Sequence, residues 1–176
     1  ALVETARPLL LARFRQDPAG FRQGLAALYG LLWYGSCLAA LVICLLSRPL
    51  LLLLYGQAYC PAWGILCVAA WRPAFSCLGI ARSIFLAAHR QFRYEKYLAA
   101  AGAAVNLVLN LLLIPLWGPL GAALATLLAQ AVANVGMNFL IPPLRENSRL
   151  LLQGMRPHIL RFLLAARKRR QIHEIG

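Results

Sequence analysis

An apolar stretch interrupted by two asparagines and a Pro/Gly turn, at residues 106–126, restricts the fold of this chain more than any other feature. Its sequence, NLVLNLLLIPLWGPLGAALAT, predicts one apolar helix, a tight turn and a second apolar helix that begins with small residues. Asparagine side chains inside lipid need hydrogen-bond partners, and small residues let helices pack closely. Both features are typical of membrane helices, so the stretch predicts a helical membrane protein.

The composition of the chain favours the same class. Of its 176 residues, 61% are hydrophobic and only 13% are charged, whereas roughly a quarter of the residues of a soluble domain are charged. The net charge is +13, and most basic residues lie between or after the apolar runs. That distribution suits contact with anionic membrane lipids, which we expect as partners, better than contact with nucleic acid, which we do not expect.

The apolar runs predict an all-α integral membrane protein, because about 20 apolar residues are enough to cross the hydrocarbon core of a bilayer. We expect a cytoplasmic interfacial segment at residues 1–24, a transmembrane bundle at 25–143 and a basic, amphipathic cytoplasmic tail at 144–176. Proline residues within the first two runs predict kinks. The four predicted membrane-spanning helices cover residues 25–55, 62–88, 97–116 and 120–141.

The positions of the basic residues predict the orientation of this bundle. Arginine and lysine residues precede the first predicted helix, lie between the second and third, and follow the fourth. The other two connections, GQAYCP and LWGPLG, carry no charge. Because positively charged loops stay in the cytoplasm, the basic loops and the C-terminus are expected there, and the uncharged turns outside.

Arginine residues inside the apolar runs are the first candidates for a binding site. Arg72 lies roughly 15 Å from the external end of its helix at 1.5 Å per residue, where an arginine costs about 2.5–3.5 kcal/mol. No acidic residue lies within the four runs, so Arg72 is expected either to bind an anion or to cap backbone carbonyls freed by Pro73. Arg48 either lines the same cavity or marks the membrane boundary, and Arg82 is expected to extend to the cytoplasmic surface.

Amide side chains form a second group of candidates. Asn106 and Asn110 are four residues apart, as are Gln130 and Asn134, so each pair lies on one helix face. Amides in a bilayer usually hydrogen-bond a neighbouring helix, so a packing role is expected first. Contact with a sugar or a lipid headgroup is the alternative.

Patterns that support catalysis are missing from the sequence. The three histidines lie in loops or in the tail, and the five cysteines form no metal-type pair. There is no carboxylate pair, nucleophile with an adjacent base, or glycine-rich nucleotide motif. We therefore expect no enzymatic activity, no catalytic residue, no metal and no cofactor.

Three segments, LLYGQAYCPA, FLAAHRQFR and NLVLNLLLIPLWGPLGAALAT, occur in an order that resembles the C-terminal half of polysaccharide-biosynthesis membrane proteins. These are the lipid-linked oligosaccharide flippases (Wzx-type) of the MATE-like exporter superfamily, and the resemblance covers residues 50–141. It implies a bacterial inner-membrane transporter that moves an undecaprenyl-pyrophosphate-linked oligosaccharide outward by alternating access, for surface polysaccharide or O-antigen assembly. Arg48 and Arg72 would then lie in its cavity. The chain would supply the C-terminal bundle, and the N-terminal half of the transporter would be missing.

Two alternatives remain open at this point. The first is a multidrug or other small-molecule exporter of the same superfamily, which would need an intramembrane acidic residue for ion coupling. The second is a membrane-embedded glycan polymerase or ligase, which would need a large external loop with catalytic residues. The external connections predicted here are short and uncharged.

Overall fold

The computed structural model describes residues 2–156, and this part of the chain contains helices and no strands. The helices are α1 (Leu2–Gln16), α2 (Pro18–Tyr55), a 3₁₀ helix (Gln57–Ala62), α3 (Trp63–Ala70), α4 (Arg72–Ala88), α5 (Arg93–Ala131), a π-helix (Val132–Gly136), α6 (Met137–Leu140), a second 3₁₀ helix (Pro142–Leu144) and α7 (Arg145–Met155).

The break between α1 and α2 has a local chemical cause. Asp17 caps α2, accepting a hydrogen bond from Gly20 N at 2.9 Å, and Pro18 occupies the first turn, where its missing N–H costs nothing. Helix α2 then continues through Pro49 to Tyr55, as predicted. It begins before residue 25, so part of the expected interfacial segment 1–24 belongs to this long helix.

Within residues 2–156, three helices are long and apolar enough to cross a membrane: Pro18–Tyr55, Gln57–Ala88 and Arg93–Leu140. This corrects the prediction of four. The expected third and fourth helices, 97–116 and 120–141, belong to one helical element because no loop separates them, and helical geometry is interrupted inside α5 at Gly118.

Gly118 is the point at which this third element reverses. Its φ of 54° and ψ of −133° lie in a region that glycine adopts without steric cost. Beyond it, Gly121 packs directly against the carbonyl of Leu113, and a Cβ added to Gly102 would lie 2.8 Å from the Cβ of Ala133. The segments before and after Gly118 are therefore two arms of a helical hairpin.

The buried core lies towards one end of the bundle. Residues of α2, α4, α5 and α7 contribute side chains that are completely buried, such as Leu25, Leu78, Leu98 and Leu151. Towards the other end, large apolar side chains point outward, and Leu45 and Leu53 are 72% and 83% exposed. Exposed apolar surface of this kind along long helices is what a bilayer would cover.

Helix α7 packs against α2. Tyr29 Oη donates to Asn147 Oδ1 at 2.8 Å, Tyr34 Oη donates to the carbonyl of Met155 at 2.6 Å, and Gly154 fits against the backbone of α2. The apolar face of α7 is thus covered by protein, whereas the sequence led us to expect lipid there. The remainder of the predicted tail, with its basic cluster RKRR, lies outside the described residues.

Candidate functional site

A buried arginine, Arg82, is the centre of the most polar region of the bundle. It lies on α4, and its side chain is only 4% exposed. Nη1 donates to the carbonyl of Ala133 at 2.9 Å and to Asn138 Oδ1 at 3.5 Å, and Nη2 lies 4.0 Å from Glu95 Oε1. Among the described residues, Nε has no hydrogen-bond partner.

The carbonyl that accepts from Arg82 belongs to the π-helical turn Val132–Gly136. Such turns are wider than α-helical ones and occur frequently at functional sites. Asn138 supports the same turn, because its Nδ2 donates to the carbonyl of Asn134 at 2.7 Å. The guanidinium and this amide thus hold the π-helix to α4.

The predicted amide pairs hydrogen-bond within their own helices. Asn134 Nδ2 donates to Gln130 Oε1 at 2.7 Å, and Asn110 Nδ2 donates to Asn106 Oδ1 at 3.2 Å. Between helices, Ser76 Oγ makes a long contact of 3.5 Å with Gln130 Oε1. The amides of each pair thus bond one another along the helical chain, and one of the four, Gln130, also contacts α4.

Close helix packing brings this amide network against α4. A side chain at Gly79 would collide with the side chain of Asn134, so a larger residue there would have to displace that amide or move α4 away from the hairpin. Nothing in the sequence pattern had indicated a packing role for Gly79.

A cleft of about 350 Å³ opens between the end of α4 and the two arms of the hairpin. Its walls combine six polar side chains with small ones that leave room for a ligand. Such a surface offers hydrogen-bond donors and acceptors to hydroxyl groups, and a guanidinium to an anion. The polar side chains that line the cleft are Arg82, Glu95, Asn106, Thr126, Gln130 and Asn134.

Comparison with known proteins assigns no function to this cleft. No protein-family model, curated protein or solved structure matches the chain. Within residues 2–156, no group of three or more His, Cys, Asp or Glu side chains is placed to hold a metal ion.

The structure separates the sequence candidates into two groups. Asn106, Gln130 and Asn134 line the cleft, whereas Asn110 does not line it but is bonded to Asn106. The two arginines proposed for a cavity do not line this cleft. Arg72 is exposed at the start of α4. Arg48 is exposed in the last two turns of α2, and its guanidinium carbon lies 4.9 Å from the ring centroid of Trp63.

Arg82 and Glu95 are the site residues that sequence analysis missed. Arg82 was expected to extend to the membrane surface, and Glu95 lies outside the apolar runs in which the candidates were found. The two residues flank the same short turn between antiparallel helices, which brings their side chains to the same height. Their opposite charges on either side of one turn were the signal that could have identified the pair.

Proposed function

We propose that this chain is part of a membrane transporter that moves a lipid-linked oligosaccharide across the bacterial inner membrane for surface polysaccharide assembly. The observation that carries this proposal is the polar cleft, which lies between helices long enough to cross a bilayer. An oligosaccharide cannot cross lipid unless its hydroxyl groups find hydrogen-bond partners on the way. Amides and hydroxyls supply such partners, and a guanidinium matches the geometry of a pyrophosphate.

The ion pair in the cleft offers a physical basis for alternating access. At 4.0 Å, Arg82 Nη2 and Glu95 Oε1 are at the limit of an ion pair, so an incoming phosphate would compete with the carboxylate for the guanidinium. Binding in one state and release in another requires different contacts in the two states. Exchange of the Arg82 partner between Glu95 and the substrate would provide that difference.

The proposal includes a partner for the exposed apolar faces. Leu38 and Leu111 are 64% and 69% exposed, and in a two-bundle transporter part of this surface would contact the N-terminal half. The basic connections are proposed to face the cytoplasm, following the positive-inside rule. Because Glu95 lies beside the basic turn between α4 and α5, the cleft would then begin near the cytoplasmic surface.

The test is translocation of a fluorescent undecaprenyl-pyrophosphate oligosaccharide in proteoliposomes that contain the complete protein. We expect the Arg82→Gln variant to slow translocation by between about tenfold and a hundredfold, the equivalent of one lost charge-assisted hydrogen bond. Because Arg82 also supports the π-helix, Asn106→Ala is a second variant; among the described residues, the Asn106 side chain is bonded to Asn110 alone. We expect a smaller loss for this variant.

Arg93→Gln is the matched control, since Arg93 carries the same charge near the same turn but does not line the cleft. Wild-type-like translocation is expected for this control. Equal rates in the wild type and both cleft variants would show that the substrate does not use the cleft. No translocation by the wild-type protein would contradict the proposed function itself.

An exporter of small cations is the second candidate, and Glu95 is the observation that favours it. The sequence offered no acidic residue within the membrane helices, but the structure places this carboxylate on the cleft wall. Proton-driven uptake of a small cation by the same proteoliposomes, abolished in Glu95→Gln, would favour this candidate over the flippase.

A further inference from the structure

A second groove, of about 500 Å³, lies between α1 and the end of α4, and it shares no lining residue with the polar cleft. Its floor is apolar, and one arginine stands on each wall: one from α1 and one from the turn after α4. The floor consists mainly of Leu11, Phe14, Ala87 and Ala88, and the two arginines are Arg15 and Arg90.

Packing holds the two walls of this groove at a fixed separation. The His89 ring is stacked on Phe85, with centroids 4.1 Å apart, and also contacts Phe14 of α1 at 4.9 Å. Further along α1, Arg7 Nη2 donates to Ser83 Oγ of α4 at 3.3 Å. The groove is therefore part of the folded structure and does not depend on a ligand to form.

The charges of the groove are not compensated by the described part of the protein. Both arginines are exposed, and neither forms an ion pair with another described residue. Every carboxylate in residues 2–156 is engaged elsewhere. Three carboxylates pair with other arginines, and the fourth, Asp17, caps α2; the three pairs are Glu4–Arg7, Glu146–Arg22 and Glu95–Arg82.

The backbone at Arg90 adds a further observation. The φ angle of Arg90 is 54°, and among the described residues Arg90 is the one non-glycine residue with a positive φ. Glycine would adopt this conformation at lower cost, so the arginine is held there against a conformational preference. The conformation ends α4: Arg90 N donates to the carbonyl of Ala87 at 3.2 Å and Gln91 N to that of Leu86 at 2.8 Å, so the turn that carries Arg90 is fixed by backbone hydrogen bonds.

We propose that this groove binds an anionic phospholipid of the bilayer. The phosphate lies between the guanidinium groups of Arg15 and Arg90, and the first part of an acyl chain lies on the apolar floor. The groove is at the basic end of the bundle, where arginine side chains reach the level of lipid headgroups. Its volume is within the range of small-molecule sites, about 300–1,000 Å³. This inference does not depend on the transported substrate.

The test compares phosphatidylglycerol with phosphatidylcholine of the same acyl composition. The purified chain, in detergent micelles, is titrated with each lipid, and bound lipid is counted by native mass spectrometry. We expect the wild type to retain phosphatidylglycerol in preference. Arg15→Gln and Arg90→Gln should each weaken its binding about fivefold, and the double variant roughly 30-fold. Higher salt should reduce the difference between the two lipids.

Arg13→Gln is the matched control, because it removes the same charge from the same helix but lines a different surface cleft. A loss as large as that of Arg15→Gln or Arg90→Gln alone would show that the attraction is diffuse, and would overturn the proposal. Ala12→Trp fills the groove while keeping both arginines; unchanged binding in this variant would also overturn it.

Two further ligands identify the occupant. If inorganic phosphate displaces phosphatidylglycerol at similar concentration, the apolar floor contributes nothing and a lipid is not required. If undecaprenyl phosphate binds in preference to phosphatidylglycerol, the groove is a substrate site and the phospholipid assignment is wrong. Preference for phosphatidylglycerol over both supports the proposal.

Discussion

Buried polar side chains in this bundle are bonded to backbone carbonyls or to one another, and a substitution that leaves one of these groups buried without its partner should have a large effect. Tyr29 and Asn147 are both fully buried, and the Tyr29 Oη–Asn147 Oδ1 bond of 2.8 Å joins α2 to α7. Within the described residues, Asn147 Nδ2 has no further partner. The amide therefore depends on a single hydrogen bond from Tyr29.

We expect Tyr29→Phe to lower the free energy of unfolding by about 1–3 kcal/mol, because the amide oxygen of Asn147 would be left buried without a donor. Unfolding in mixed detergent micelles, followed by circular dichroism, measures this change. Tyr59→Phe is the control, since Tyr59 is 57% exposed and should lose almost nothing. Equal stability of the two variants would contradict the role given to this hydrogen bond.

At the same scale, sequence spacing predicted local contacts and missed distant ones. Residues four apart on a helix must lie on one face, so the pairs Asn106–Asn110 and Gln130–Asn134 followed from helix geometry alone. The partner of Arg82 depends on how α4 meets the hairpin. That arrangement is set by tertiary packing, such as the close approach of Gly79 on α4 to the side chain of Asn134. A single sequence does not reveal such packing.

At the level of elements, the hairpin of α5 depends on close contact between its two arms. A Cβ at Gly121 would overlap the carbonyl group of Leu113, which is backbone and cannot rotate away. The arms would have to separate, and their separation would widen the cleft between them.

We expect Gly121→Ala to destabilise the protein by about 1–3 kcal/mol, as overpacking does elsewhere. Gly35→Ala is the control, because nothing lies within 4 Å of the added methyl group. Alanine also favours helix by about 1 kcal/mol over glycine, so this control should be neutral or slightly stabilising. Detergent-induced unfolding of both variants measures the difference, and a neutral Gly121→Ala would show that the arms are not in contact.

The apolar runs and the Pro/Gly positions predicted where helices lie, and they predicted the interruption near Arg72, where α3 and α4 meet at Trp71. The count of long helices was wrong because the turn at Gly118 is so tight that no loop separates the arms. The contact of α7 with α2 could not be predicted either. An amphipathic helix that packs on protein has the same pattern as one that lies on lipid.

Considered as a whole, the molecule has two chemically different ends. Aromatic side chains are exposed at both ends: Tyr55, Tyr59, Trp63 and Trp117 are 41–63% exposed beside the turns after α2 and at Gly118, and Tyr97 is 65% exposed near the turn between α4 and α5. The two ends differ in charge, because the turn after α2 and the turn at Gly118 carry no charged residue. The opposite end carries the basic turn between α4 and α5 and the basic residues of α7. Tyrosine and tryptophan are enriched at membrane interfaces, and basic residues on the cytoplasmic side.

This asymmetry predicts a topology that can be measured with single cysteines in a cysteine-free background. We expect Gln57→Cys and Trp117→Cys to react with a membrane-impermeant maleimide from one side, and Phe92→Cys from the other. If residues 93–140 formed one straight helix, it would be about 72 Å long at 1.5 Å per residue, far more than the roughly 30 Å hydrocarbon core. Labelling of Phe92→Cys and Trp117→Cys from the same side would mean that the hairpin does not cross the bilayer. The polar cleft between its arms would then lie outside any transmembrane path, and both transport proposals would fail together.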